Sequence, residues 1–226
     1  MTLVDLSHAL EEGVETYPGF PTPTMNHFIS FEDSKEMAAD GIVFAIDDIR
    51  LIGGSSTYMD APRHFLPEGG DVASIPLEKT FDLPLVVVSA PADGRRELLP
   101  EDFAGLELAG AAVLIRTGWD ARWATPEYVV GSPFLGGAAA AMLVEAGVTL
   151  VGIDAVLIDD VEDGPLPTRP AHSTLLAAGL PIVENLRGLA ALPETGARFF
   201  AVPAAVKGVG SFPVRAFAAV QSGPGE

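Results

Sequence analysis

The stretch 53–65, Gly-Gly-Ser-Ser-Thr-Tyr-Met-Asp-Ala-Pro-Arg-His-Phe, holds the densest chemistry in the chain. It brings a phenol, a carboxylate and an imidazole close together in Tyr58, Asp60 and His64. An imidazole titrates near pH 6.5, so His64 is suited to proton transfer at neutral pH. Residues 57–60 read as extended, and alternate residues of a strand face one side. Tyr58 and Asp60 are therefore expected to share a face. A blander reading competes. Asp before Ala-Pro braces turns by accepting local backbone hydrogen bonds, and one histidine is often only a satisfied polar residue in a half-buried pocket.

The order Thr57-x-x-Asp60-Ala61-Pro62-x-His64-Phe65 resembles the signature of the cyclase family, whose best-known members are bacterial kynurenine formamidases. The family pattern reads His-x-Gly-Thr-His-x-Asp-x-Pro-x-His. Here Asp60, Pro62 and His64 match, while Gly54, Ser56 and Tyr58 stand where the pattern has His, Gly and His. Further blocks follow in the family's order. They are Asp5 to Leu10 with Tyr17-Pro18-Gly19, then Val113 to Trp119, Val151 to Asp154, Ala171-His172 with Glu184-Asn185-Leu186, and Pro203 to Lys207 with Ser211 to Ala216.

The resemblance implies a single α/β domain over 1–226, with a mixed, partly barrel-like central sheet flanked by helices (the swivelling β/β/α type). It also implies assembly as a homodimer or homotetramer. Metal-dependent relatives hold one cation by the two signature histidines and the aspartate, and a second by that aspartate with a later His and Glu. Carried over, the first set would need Gly54, which has no donor, and Tyr58, whose phenol has a pKa of about 10. The second set survives as Asp60, His172 and Glu184, a plausible shell for one Mn, Zn or Fe ion. His64 falls on the family's general acid/base, and Tyr17, with Phe20 beside it, on the wall of the substrate pocket.

Two chemistries stay open on this set. With one divalent metal, it suits hydrolysis of an amide or lactone. With none, two close carboxylates push one pKa upward, and with His64 and a Tyr58 hydrogen bond they suit cyclisation, dehydration or isomerisation. A catalytically silent binding or scaffold protein is the alternative from another class. Retention of Asp60, His64, His172 and Glu184 argues against it, because polar groups in a pocket are costly to bury. His8, His27 and the acidic run Asp159, Asp160, Glu162 and Asp163 read as structural or solvated, and Trp119 and Trp123 as core aromatics.

The rest of the chain must position these groups. Strands are expected at 42–52, 85–89, 112–116, 149–153, 181–183, 199–206 and 214–220, each rich in Val, Ile, Leu or Phe and bounded by Gly, Pro or Asp. Helices are expected at 136–146 and 171–178, closed by Gly147 and Gly179. Hydrophobic residues make up 48% of 226, enough for a substantial core. With no cysteine, disulfides and thiolate chemistry are excluded. A formal charge of −18 repels phosphate backbones and anionic lipid, so nucleic-acid and membrane partners are disfavoured and a small-molecule substrate is expected. No signal-like or membrane-spanning run is visible, which gives a cytoplasmic expectation.

Overall fold

The computed structural model describes residues 1–162, 164 and 167–221. Thirteen strands form in chain order: β1 (Thr2–Asp5), β2 (Thr24–Ile29), β3 (Ile46–Arg50), β4 (Tyr58–Asp60), β5 (Leu83–Ser89), β6 (Glu97–Leu98), β7 (Ala112–Arg116), β8 (Phe134–Leu135), β9 (Leu150–Ile153), β10 (Ile182–Glu184), β11 (Thr195–Phe200), β12 (Ser211–Pro213) and β13 (Phe217–Val220). Two α-helices, α1 (Gly137–Glu145) and α2 (Pro170–Ala177), complete the set. Nine strands make one strongly curled sheet in the order β1-β13-β11-β5-β7-β9-β10-β4-β12. β5, β7, β9 and β10 run parallel, and the flanking strands are antiparallel.

The parallel strands are apolar on both faces because both faces are covered. Val86, Val88, Val113, Ile115, Val151, Ile153 and Ile182 point to one core, which the helices close with Ala139, Leu143, Ala171 and Leu175. Leu85, Val87, Leu114, Leu150 and Val183 point to a second core, closed by Leu6, Met59, Phe199 and Ala218 as the sheet curls over. Burying a Leu, Ile or Val side chain contributes roughly 1.5–3 kcal/mol, so these two cores carry most of the fold's stability. Gly152 faces the second core at close quarters: an added Cβ would lie 2.7 Å from the Leu114 side chain and 2.8 Å from that of Leu186, so both would have to shift.

The strand expected at 42–52 is a correction. Only 46–50 pairs, and it pairs with β2 in a separate two-stranded ribbon, not in the main sheet. Phe28, Ile46 and Ile49 of this ribbon are exposed, so its apolar pattern does not mark a buried strand. The strand expected at 199–206 ends at Phe200, and that at 214–220 begins at Phe217. Among the described residues no helix is long and apolar enough to cross a membrane.

Candidate active site

The three-residue strand β4 builds the site. It lies between β10 and β12, with Tyr58 opposite Glu184 and Asp60 opposite Ser211. Directly opposed residues of an antiparallel pair have Cβ atoms about 4.5–5.5 Å apart, so register alone brings the phenol onto the carboxylate. The Tyr58 hydroxyl donates to Glu184 Oε2, and the Ile158 N–H donates to Oε1 at 2.6 Å. Met59 and Val183, one residue along each strand, belong to the second core. Tyr58, Asp60 and Glu184 thus share the other face.

Three backbone devices hold β4. Ser56, where the family pattern has glycine, adopts the left-handed conformation at φ 58°. Its hydroxyl donates to the His8 and Ala9 carbonyls, and the Asn185 side-chain amide donates to the Ser56 carbonyl. Thr57 donates to the Asn185 carbonyl at 2.5 Å and accepts the His8 N–H at 2.9 Å. After β4 the chain turns through Pro62–His64, where Gly210 passes so closely that a Cβ would lie 2.6 Å from the His64 Cα.

Asp60 is fully buried, and among the described residues neither carboxylate oxygen finds a hydrogen-bond partner. Its Oδ1 lies 3.8 Å from His64 Nε2 and its Oδ2 lies 3.6 Å from His172 Nε2. Both are too long for hydrogen bonds. The 3.6 Å separation suits atoms sharing one cation, since metal bonds of about 2.0–2.2 Å in a tetrahedral shell separate neighbouring donors by roughly 3.3–3.6 Å, and the 3.8 Å one lies just beyond that range. One donor atom each from Asp60, His64 and His172 lie within 4.8 Å of one another. His172 Nε2 is also 3.3 Å from Glu184 Oε1. The residues therefore fit a divalent cation.

His172 sits at the start of α2, buried, with Phe65 stacked on its ring at 4.9 Å. Burial works against its charged form, but Glu184, Asp159 and Asp60 outweigh that and hold its pKa well above the ordinary imidazole value. Burial pushes the Glu184 carboxyl up, against the pull of His172. Burial and then the charges of Glu184 and Asp60 keep Tyr58 a neutral phenol that donates. Its ring lies 3.5–3.8 Å from where a Cβ on Gly54 would be. The tyrosine therefore fills the space above the glycine, which links the two largest departures from the family pattern.

The site opens into a cavity of about 400 Å³ lined by Tyr17, Phe20, Tyr58, His64, Phe65 and His172, among others. Tyr17 and Phe20 face each other with ring centroids 5.3 Å apart. The side chain of His64 is 38% exposed there.

The acidic run divides, which corrects its reading as a solvated loop. Asp159 is buried, takes the His172 Nδ1–H at 2.6 Å and also takes the Ala171 and His172 backbone N–H groups. Asp160 and Glu162 pair with Arg96, and Asp163 lies outside the described residues. The only sequence signal for Asp159 is its place directly after the apolar Val156-Leu157-Ile158. His27 pairs with Asp47 on the exposed ribbon, and Trp119 packs against the helix-side core.

His8 stacks on Trp123 at 4.1 Å. Burial, then the charge of Arg187, lowers its pKa from 6.5 to about 4. The folded value lies below the unfolded one, so the unfolded chain binds more protons between those pH values. This group's effect is to lower stability as pH falls through that window. His8→Phe, which keeps an aromatic ring on Trp123, is expected to flatten the fall in melting temperature between pH 6.5 and 4. An unchanged slope would assign the acid sensitivity to other groups.

The fold and this cluster define an enzyme scaffold of one family. Residues 4–160 match the model of the family described as "Putative cyclase", and the chain belongs to the cyclase family. It is 30% identical over 223 residues to the kynurenine formamidase of Salinibacter ruber, covering 96% of each chain. Identity to the Bacillus mycoides kynurenine formamidase is 28%, covering 94% of this chain and 95% of that one. Isatin hydrolase A from Labrenzia aggregata superposes with a TM-score of 0.82 at 27% identity, covering 98% of this chain and 94% of that one. The chain is thus an enzyme of kynurenine formamidase-like type, akin to hydrolases.

Proposed function

We propose that this protein is a single-cation hydrolase that opens an amide, lactam or ester bond of a small organic molecule. The observation that carries this reading is Asp60, whose two fully buried oxygens lack hydrogen bonds and face two imidazoles. A buried carboxylate left unsatisfied costs several kcal/mol or forces protonation, and a cation removes that cost. Asp60 and His172 would hold the ion, with Glu184 beside them as third donor. The likeness to a kynurenine formamidase and to an isatin hydrolase supports an amide or lactam as the scissile group.

A divalent cation here supplies Lewis acidity to the substrate carbonyl and acidifies a water. The chain's own groups do the rest. Tyr17 and Phe20 wall the cavity against an apolar substrate ring. Half-exposed His64 takes a proton at Nε2 from the attacking water and returns it to the departing nitrogen or oxygen as the C–N or C–O bond breaks. Tyr58, a neutral phenol above Gly54, holds Glu184 in place. Assembly as a homodimer or homotetramer belongs to the same proposal, since the β2–β3 ribbon leaves Phe28, Ile46 and Ile49 exposed.

The expected result of elemental analysis is one transition metal per chain. A panel of N-formyl anilines, lactams and lactones should show turnover that chelator removes and metal restores. Two tightly bound metals per chain would overturn the single-cation reading. A second reading has its own support, because charged His172 could neutralise Asp60 without a metal. Chelator-resistant turnover of a β-hydroxy carbonyl compound would establish that one instead.

A further inference from the structure

The imidazole of His172 has two nitrogens, and only Nε2 faces Asp60 and Glu184. What keeps it that way lies outside the residues that resemble the family signature. We infer that Asp159 is the positioning residue of the site, fixing the tautomer and direction of His172 so that Nε2 is presented to the cation. This rests on the single-cation reading for its metal, but its geometry stands independently.

One carboxylate makes three contacts. Asp159 Oδ2 takes the backbone N–H of His172 at 3.0 Å and its ring Nδ1–H at 2.6 Å. Gripping both ends of one residue leaves its side-chain torsions little freedom. Asp159 Oδ1 takes the Ala171 N–H at 2.7 Å. These backbone donors belong to the first turn of α2, where helix N–H groups lack partners within the helix. Arg169, at the N-cap, supplies no side-chain cap, so a residue 12 positions upstream of Ala171 caps the helix. Cap and ring orientation are therefore one device, and rotation of the ring would break a hydrogen bond that also ties the helix to the loop after β9. Phe65 adds the remaining constraint by stacking on the ring face. A carboxylate on the far nitrogen fixes the tautomer of a ligating histidine and strengthens it as a donor.

Asp159→Asn is the discriminating variant. Asn keeps the shape and can still cap a helix through its carbonyl oxygen. Its amide nitrogen cannot accept, so one oxygen's set of N–H groups loses its acceptor, and in either orientation the negative charge opposite the ring is gone. Binding of Zn²⁺ and Mn²⁺ to the metal-free protein, measured by calorimetry, should weaken by about 10–100-fold. In ¹⁵N-histidine-labelled protein, the downfield Nδ1–H resonance of His172 should be present in wild type and lost or strongly shifted in the variant. Unchanged metal affinity together with an unchanged His172 resonance would overturn the assignment. A lower melting temperature with neither readout moved would reduce Asp159 to a helix cap, which also overturns it. If wild type binds no metal, the single-cation reading fails, and the resonance alone decides the role of Asp159.

Discussion

His64→Gln is expected to lower turnover by about 10²–10⁴-fold, the range typical of a lost general acid or base, while the melting temperature stays near that of wild type. The side chain lines the cavity, is partly exposed and approaches Asp60 at 3.8 Å, too far for a hydrogen bond. Its backbone N–H, bonded to the Ala61 carbonyl in the turn, is untouched by the substitution. The loss should fall on turnover and not on substrate affinity, since a proton carrier acts in the transition state. Metal affinity gives the decisive second measurement. A matching collapse of metal binding would reassign His64 from proton carrier to ligand, a position its Nε2 can reach. Full activity in the variant would remove it from the chemistry altogether.

The site was legible in the sequence where its chemistry is local and obscure where it depends on register. Tyr58, Asp60 and His64 lie within one short stretch, and alternation along an extended segment placed the first two on one face, as β4 does. The parallel strands were equally plain, because β5, β7 and β9 are continuous apolar runs ended by turn residues. The hydrogen bond between Tyr58 and Glu184 was not legible. It arises from the antiparallel pairing of β4 with β10, across 126 positions, and three-residue strands carry too little pattern to declare a partner. Asp159 was hidden for another reason. In sequence it is one acid among several, and only the path of the chain from β9 into α2 buries it while leaving Asp160 and Glu162 to pair with Arg96. The ribbon misled in the opposite direction. Its Ile and Phe residues imitate a core strand, yet among the described residues nothing covers Phe28, Ile46 or Ile49.

Gly54 and Tyr58 show how the departures from the family pattern fit together physically. Each removes an imidazole, and taken separately each would leave a hole or a misplaced ring. Taken together, the Tyr58 ring occupies the space above Gly54 and its hydroxyl reaches Glu184, so the volume is refilled and a buried carboxylate gains a donor. The same exchange leaves Asp60 without the neighbours that would surround it in a two-cation centre.

That isolation sets up opposite effects on stability and on function at one position. Asp60→Asn should abolish metal binding and lower turnover at least as far as the His64 variant, yet raise the stability of the metal-free protein. The buried carboxylate has no hydrogen bond, and an unsatisfied buried polar group costs about 1–3 kcal/mol, more when charged. Asn removes the charge at nearly equal volume, so the packing of Met59 and Ala61 on either side is preserved. The gain is offset in part because charged His172 loses one of three carboxylate neighbours, although Asp159 and Glu184 remain in contact with it. A rise of a few degrees in the melting temperature of metal-free Asp60→Asn over metal-free wild type is expected. With saturating metal the order should reverse, because only wild type gains stability from the ion. Destabilisation of the metal-free variant would mean that the Asp60 charge is needed to hold His172 and the fold together, and that the carboxylate is structural instead of being kept for a ligand.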